Sequence, residues 1–411
     1  MLVYVFRRLL LMVPTLAGIT LVVFVVMAAS PGGLGAQALV DGSQLEPQAR
    51  AALEAYYNRR YGLDQPPPVQ YLRWLNAISP VGFTREADGS LGAFSFFKGS
   101  DLGESFRYGR PVSALLAERV PVTLLLNLLT IPLIYVLAIA VGVRAGARAG
   151  GRFDVASNVV LLGLWSVPSM LAGVLLIGFF ASAQYWLWFP TGGLSSREAL
   201  QAPFLPYFPS AGAALAAVGC ILGGTAASVM LALRRGAGAV WVMVCGLCGL
   251  VAGIWLARAT GALAGVQAGF LLDRLWHLAL PVLVLSYGGL AFLAKLARSA
   301  VLENLAADYA RTARAKGVAE ADVLWRHVFR NSLLPLITVS AGLLPGLLAG
   351  SVVVESLFGI DGMGKLAVEA VQTRDRELVL SVTLVSGVLT LVGYLLADLA
   401  YALADPRVSY D

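Results

Sequence analysis

Charge is what this sequence has least of. Only 13% of its 411 residues are Asp, Glu, Lys or Arg, against 58% hydrophobic, where a soluble protein is about a quarter charged. Such a chain cannot cover a water-facing surface with polar groups, which excludes a cytosolic enzyme, a disordered regulator and a disulfide-stapled secreted domain. Three cysteines and two histidines are too few for a metal cluster or a disulfide framework. Cys245 and Cys248 do form a C-x-x-C, but inside an apolar run, where they read as small helix-packing residues. The 44 glycines follow no triplet period, so the chain is not collagen-like. A mean hydropathy of +0.77 leaves one class, a polytopic all-α membrane protein. The net charge of +6 then matters only through the loops that hold it, and no nucleic-acid partner is expected.

Long apolar runs are what the chain does have. Arg7 and Arg8 precede the first, Leu9–Ala29, whose 21 residues exceed the ~7–15 of a signal-peptide core. It reads as an uncleaved anchor starting inside. Residues 30–118 hold no crossing run. They mix acidic and basic residues with prolines and aromatics, and they read as a folded extracytoplasmic region. Within it, Ser43-x-x-Glu46 forms a capping box before a surface helix ended by Gly62. A proline run at 66–68 separates that helix from a second one in VQYLRWLNAI.

Further runs at 120–143, 155–183, 210–233, 238–257, 276–297, 332–354 and 380–403 can each cross a hydrocarbon core of about 30 Å. That predicts eight spans with both termini inside. Inner segments would carry fifteen basic residues and the short outer loops six, the bias expected of cytoplasmic loops. Pro132, Pro168, Pro281 and Pro345 mark candidate kinks, and Trp186, Trp188 and Phe189 read as an interfacial belt.

The cytoplasmic loop between the sixth and seventh spans is long for so apolar a chain. It combines small residues (Ala310, Thr312, Ala313, Ala315), basic ones (Arg311, Arg314, Lys316) and Gly317, which can end a helix with a positive φ. Small residues let a short helix sink into a partner's groove; the bland alternative is a positively charged retention signal. A second amphipathic piece, VLWRHVFRN, leads to Leu334-Pro335 and the next span.

Other chemistries fail on their residues. Gly359-x-x-x-x-Gly364-Lys365 imitates a phosphate loop, but Leu366 stands where the Mg²⁺-binding Ser or Thr belongs. His277 and His327 stand apart, and neither G-x-S-x-G nor HExxH occurs, so no protease centre is written in the chain. A stand-alone secondary carrier is the serious alternative. It wants ionisable groups near the bilayer midplane, whereas Asp398 and Lys295 lie near span ends. The polar residues Asn127 and Ser166 keep that reading open.

The loop words Tyr309-x-Arg311-Thr312-Ala313-Arg314-Ala315-Lys316-Gly317, Arg326-His327 and Arg330-Asn331-x-Leu333-Leu334-Pro335 resemble the "EAA" coupling loop of bacterial ABC importer permeases. The match is to the oligopeptide/dipeptide/nickel branch. Arg311-Thr312-Ala313 replaces the general Glu-Ala-Ala, as is usual in that branch. Further words agree with its first-subunit type: Arg7-Arg8-Leu9-Leu10, Pro14, Ser30-Pro31-Gly32, Tyr61-Gly62-Leu63-Asp64-Gln65-Pro66, Asp101-Leu102-Gly103-x-Ser105, Val354-Glu355-x-x-Phe358-Gly359 and Asp405-Pro406-Arg407.

The resemblance implies a permease subunit of the bacterial inner membrane. It would be paired with a second homologous permease, one or two cytoplasmic ATPases and an extracytoplasmic substrate-binding protein. ATP and Mg²⁺ would sit on those partners, with no catalytic, cofactor or metal residue on this chain. Tyr309, Arg311, Thr312, Ala313, Arg314, Ala315, Lys316 and Gly317 would be the ATPase-coupling residues. Such permeases usually have six spans, so 200–265 reads as an inserted helix pair. The resulting division is an anchor at 1–29, the outer region at 30–118, core at 119–199 and 266–403 with a coupling loop at 298–331, and a tail at 404–411.

Overall fold

Because hydrocarbon offers no water to backbone groups, a crossing segment must pair its own N–H and C=O groups, and the apolar runs accordingly become helices. The computed structural model describes residues 2–30, 46–61, 63–85, 91–236, 239–264, 266 and 269–404. Pro31, Gly32, Ser43, Gly62 and 405–411 lie outside the described residues, so the capping box and the closing word are not placed. Two compact units result, one of 1–127, 337–356 and 361–411, the other of 128–336 and 357–360.

The first unit opens with α1 (Leu2–Ala29), α2 (Pro47–Tyr61) and α3 (Pro67–Ile78), followed by the hairpin β1 (Gly82–Arg85) and β2 (Leu91–Ser95). It also holds the start of α4 (Val112–Ala147), the later part of α11 (Phe329–Leu357), α12 (Met363–Gln372) and α13 (Arg376–Ala404). Helices α1 and α13 pack antiparallel. Gly387 lets Leu16 approach so closely that a methyl group there would fall 2.8 Å from Leu16 Cδ2. Near the start of α1 and the end of α13, Arg8 and Asp398 pair at 2.7 Å, with the Tyr4 hydroxyl also donating to Asp398.

Prolines in the first turn start α3, where a missing N–H costs nothing. Its Tyr71, Trp74, Leu75 and Ile78 stripe, at helical spacing, packs on Val23, Phe24, Leu380 and Leu384. A second core joins Val112, Leu115 and Leu116 to Met363, Leu366, Ala370, Leu378, Val379 and Val382.

In the second unit α4 continues and is followed by α5 (Arg152–Ser166), α6 (Ser169–Phe180), α7 (Ala211–Arg234), α8 (Ala239–Ala259), α9 (Gly269–Ala306) and α10 (Asp308–Ala315). A π-helical turn, Val323–Val328, then leads into the start of α11. Gly142 brings α4 against α9: a methyl group there would meet Ala294 O and Ala297 Cβ at 2.6 Å. Gly224, Gly249 and Gly253 do the same for α7 and α8, which form a close antiparallel pair. Trp186 and Trp188 are exposed and stack at 5.3 Å.

The apolar run at 155–183, expected as one span, is two helices bent by 96°. Pro168 has no N–H and disfavours a helical Val167, which adopts φ −87, ψ 121. The Tyr287 hydroxyl donates to the freed Val167 carbonyl at 2.6 Å. Pro132, Pro281 and Pro345, by contrast, lie inside unbroken helices. Among the described residues five helices are long and apolar enough to cross a membrane, or six if the bent pair counts as one span.

Candidate coupling surface

Helix α10 is short and two-faced. Ala310 and Ala313 are buried with Val143, Val301, Val323 and Val328, while Tyr309, Arg311, Thr312 and Ala315 face outward. The spacing explains this: positions three apart share a helical face, and small alanines there let α10 lie close on its own scaffold. Thus the small residues expected to enter a partner's groove are divided. Ala310 and Ala313 seat α10 on this chain, and Thr312 and Ala315 lie on the free face.

Arg314 is turned inward. Its guanidinium donates to Leu305 O at 3.2 Å and to Glu320 at 2.8 Å, clamping both ends of the loop. Arg311 reaches only Asp308, at 3.3 Å and well exposed, a pairing that contributes little. Lys316 is exposed, and Gly317 takes φ +79 with open space around it, ending the helix as its position suggested.

A polar relay ties α10 to two long helices. The Tyr309 hydroxyl donates to Asn304 Oδ1, and Asn304 Nδ2 donates to Ala300 O at 2.8 Å and to Ser332 Oγ at 3.2 Å. Ser332 in turn donates to Ala300 O and Val328 O. Further up α9, Arg298 grips Asp154 with two guanidinium nitrogens, while Gly150 N and Asn158 also donate to that carboxylate. The turn before α5 is thereby fixed to α9, the helix that leads into α10.

Sequence words far apart meet at the start of α13. Arg376 and Glu377 are both buried and paired. Arg376 Nη1 also donates to Gln70 Oε1 at 2.8 Å, and Gln70 Nε2 donates to Leu63 O and Gln65 O. Gly103, at φ +78, leaves room for Glu377, since a Cβ there would lie 3.1 Å from its carboxylate. Ser105 Oγ donates to Asp375 at 2.5 Å, as does Arg107 N at 3.2 Å. Burial pushes the Asp375 carboxyl up, opposed by these donors. Burial also raises the Tyr108 hydroxyl, which donates to Glu369. Leu63 and Gln65, through Gln70, and Ser105 are thereby tied to the start of α13.

The phosphate-loop mimic has a similar explanation. Glu355, fully buried, accepts from Thr123 Oγ1 at 2.7 Å and from Lys365 N at 2.9 Å. Its carboxylate occupies the α12 N-terminus, where an anion is favoured. A Cβ on Gly362 would collide with it at 2.3 Å. The glycines make room for an internal acid. Among the described residues no group of three or more His, Cys, Asp or Glu is placed to hold a metal.

Comparison with known proteins places this architecture. Residues 138–410 match the binding-protein-dependent transport system inner membrane component family, and residues 1–127 match the N-terminal region of such membrane components. The oligopeptide transport system permease protein AppB of Bacillus subtilis is 32% identical, over 99% of each chain. The inner membrane ABC transporter permease protein YejB of Escherichia coli is 26% identical, again over 99% of each. The peptidoglycan transport system permease protein YejB of Agrobacterium fabrum is 27% identical, over 99% of this chain and 98% of that one.

The chain belongs to the binding-protein-dependent transport system inner membrane component family. It is a permease subunit of an ABC importer in the inner membrane, not itself an enzyme. That membership sets aside the stand-alone carrier. Asp398, near a span end, is paired with Arg8.

Sequence reasoning missed Asn304, Ser332, Arg376, Gln70 and Glu355. Their signal was polarity at positions inside or bordering apolar helices, where an unpaired polar group is expensive.

Proposed function

We propose that this permease carries peptides, received from an extracytoplasmic binding protein, along a pathway formed with a second homologous permease. One or two cytoplasmic ATPases drive it, and ATP and Mg²⁺ bind there. The names of relatives described as oligopeptide and peptide permeases support the peptide class. In this reading the chain crosses eight times with both termini inside. Residues 30–118 form an outer platform for the binding protein, and 200–265 are an inserted pair that leaves the coupling loop cytoplasmic.

The observation that carries the coupling role is α10 itself. It is a short helix seated by Ala310 and Ala313, with Tyr309, Thr312 and Ala315 presented outward and Arg314 and Gly317 shaping its end. Arg311 and Lys316 supply charge at its rim. ATPase closure would move α10, and the Tyr309–Asn304–Ser332 relay would pass that motion to α9 and α11.

Purification of the chain should bring down a second permease and the ATPases. Vesicles holding all components should take up peptides only with ATP and binding protein. Uptake by this chain alone, driven by an ion gradient, would overturn the reading.

Gly317→Val gives a finer test. A β-branched residue at φ +79 is strained by about 1–2 kcal/mol, which shifts the end of α10 without touching a span. Peptide-stimulated ATP hydrolysis should fall severalfold at unchanged membrane insertion. Gly317→Asn, which tolerates that backbone region, should retain most of it. Equal activity of all three proteins counts against coupling through this turn.

A further inference from the structure

The hairpin β1–β2 and the strand-end residues after it carry four phenylalanines that, among the described residues, nothing covers. Phe83 is 47% exposed, Phe94 53%, Phe96 69% and Phe97 95%. Three of them form one ledge: Phe83 and Phe94 pair across the hairpin with centroids 5.5 Å apart, and Phe94 meets Phe96 at 5.2 Å; Phe97 is the next residue along, the most exposed of the four. None has a polar tip. Placed in water, such a patch would be an aggregation liability.

Its depth indicates what covers it. Helices α1 and α13 supply a ruler, because Arg8 and Asp398 pair near the start of α1 and the end of α13. The helical rise from Arg8 to Phe24 is about 24 Å, and from Asp398 to Leu380 about 27 Å, both inside a hydrocarbon layer of about 30 Å. Helix α3 packs on that level, with Tyr71 and Trp74 in one cluster with Phe24 and Leu380. The Tyr71 hydroxyl reaches deeper still, donating to Ala17 O at 2.7 Å, about 14 Å above Arg8. So α3 lies in the outer leaflet, with Leu72 exposed on its free side.

The hairpin is fastened to the last turns of α3. Asn76 accepts from Phe83 N and donates to Phe83 O, both at 2.9 Å. Ser100 Oγ donates to Ile78 O, Asp101 N donates to Ala77 O, and the Lys98 ammonium donates to Asn76 O. A ledge held so near the Phe24–Leu380 level faces lipid.

We infer that Phe83, Phe94, Phe96 and Phe97 form a lipid anchor, embedded at the boundary between headgroups and acyl chains of the outer leaflet, that holds the outer region flat against the bilayer. Apolar side chains on a surface element bind that boundary in proportion to the area they bury. The inference rests on the topology proposed above, with residues 30–118 outside.

The test uses the assembled importer in lipid vesicles, with Cys220, Cys245 and Cys248 replaced by Ser and a nitroxide placed at Phe97→Cys. Oxygen should collide with this label severalfold more often than a water-soluble nickel chelate does, as for a label at the exposed span position Val26→Cys. A label at Asp64→Cys should show the reverse.

Chelate-dominated collisions at position 97 would overturn the anchor. Low collision rates with both reagents would also do so, pointing to burial against a protein, as would shielding that arises only when binding protein is added. If Phe97→Cys impairs folding, the same measurement at Phe96→Cys decides. Labelling of Asp64→Cys by an impermeant thiol reagent on intact cells checks the topology separately. Its failure would strike the sidedness, while a lipid-like signal at position 97 would still support embedding.

Discussion

Arg376→Ala should destabilise the outer half of the permease by about 3–5 kcal/mol, the usual consequence of removing one partner from a buried ion pair. Glu377 would remain buried without its cation, and Gln70 would lose the guanidinium that fixes its amide. The carbonyls of Leu63 and Gln65, both held by Gln70, would be released with it. Thermal unfolding of the purified importer, followed together with the amount of chain in the membrane, measures the effect. Because the damage comes from an uncompensated carboxylate, the double variant Arg376→Met/Glu377→Met should recover much of the stability. A single variant as stable as the parent would mean that this cluster does not hold the outer region.

Ala310→Glu should have the other large effect, on coupling rather than stability. Ala310 is fully buried among Val143, Val301, Val323 and Val328, so a carboxylate there would be taken out of water into an apolar seat. Burying an unpaired charge costs several kcal/mol, more than a helix of one small apolar face can offset. The helix would therefore leave its seat while the spans stay folded. A loss of about 3 kcal/mol of docking corresponds to about a hundredfold fewer correctly placed helices. Peptide-stimulated ATP hydrolysis and uptake should fall accordingly, with basal hydrolysis kept. Ala310→Gly, which preserves the seat, should lose far less. Normal uptake by the glutamate variant would remove α10 from the drive train.

How much of this was legible in the sequence depended on the range of the signal. The apolar runs were readable because each helix satisfies its own backbone, and the structure puts a helix on every one of them. The phase of α10 was half readable. Small residues at 310, 312, 313 and 315 announced a contact surface, but only the fold shows that Ala310 and Ala313 face inward. Gly317 was readable from local chemistry alone.

The bend at Pro168 was not, because Pro132, Pro281 and Pro345 carry the same local signal inside continuous helices. At Pro168 a distant donor, the Tyr287 hydroxyl, takes up the Val167 carbonyl, a contact that no local signal announces. The Arg376–Gln70 bond joins residues 306 positions apart. No periodicity could announce it, although a Gln, an Arg and a Glu bordering apolar helices were each a question in want of a partner.

The broken pair α5–α6 also bears on how the protein is made. Its halves rise about 22 Å and about 18 Å, so neither is long enough to settle across the bilayer by itself as the chain emerges from the insertion machinery. The phenol that completes their junction, Tyr287, is synthesised 120 residues after Val167. In between comes the α7–α8 pair, whose close glycine contacts let it form as a helical hairpin without later segments. The chain is thus committed to finishing a later part of itself before an earlier one. Between those events, the Val167 carbonyl must be sheltered by water or by a chaperoning surface at the insertion site.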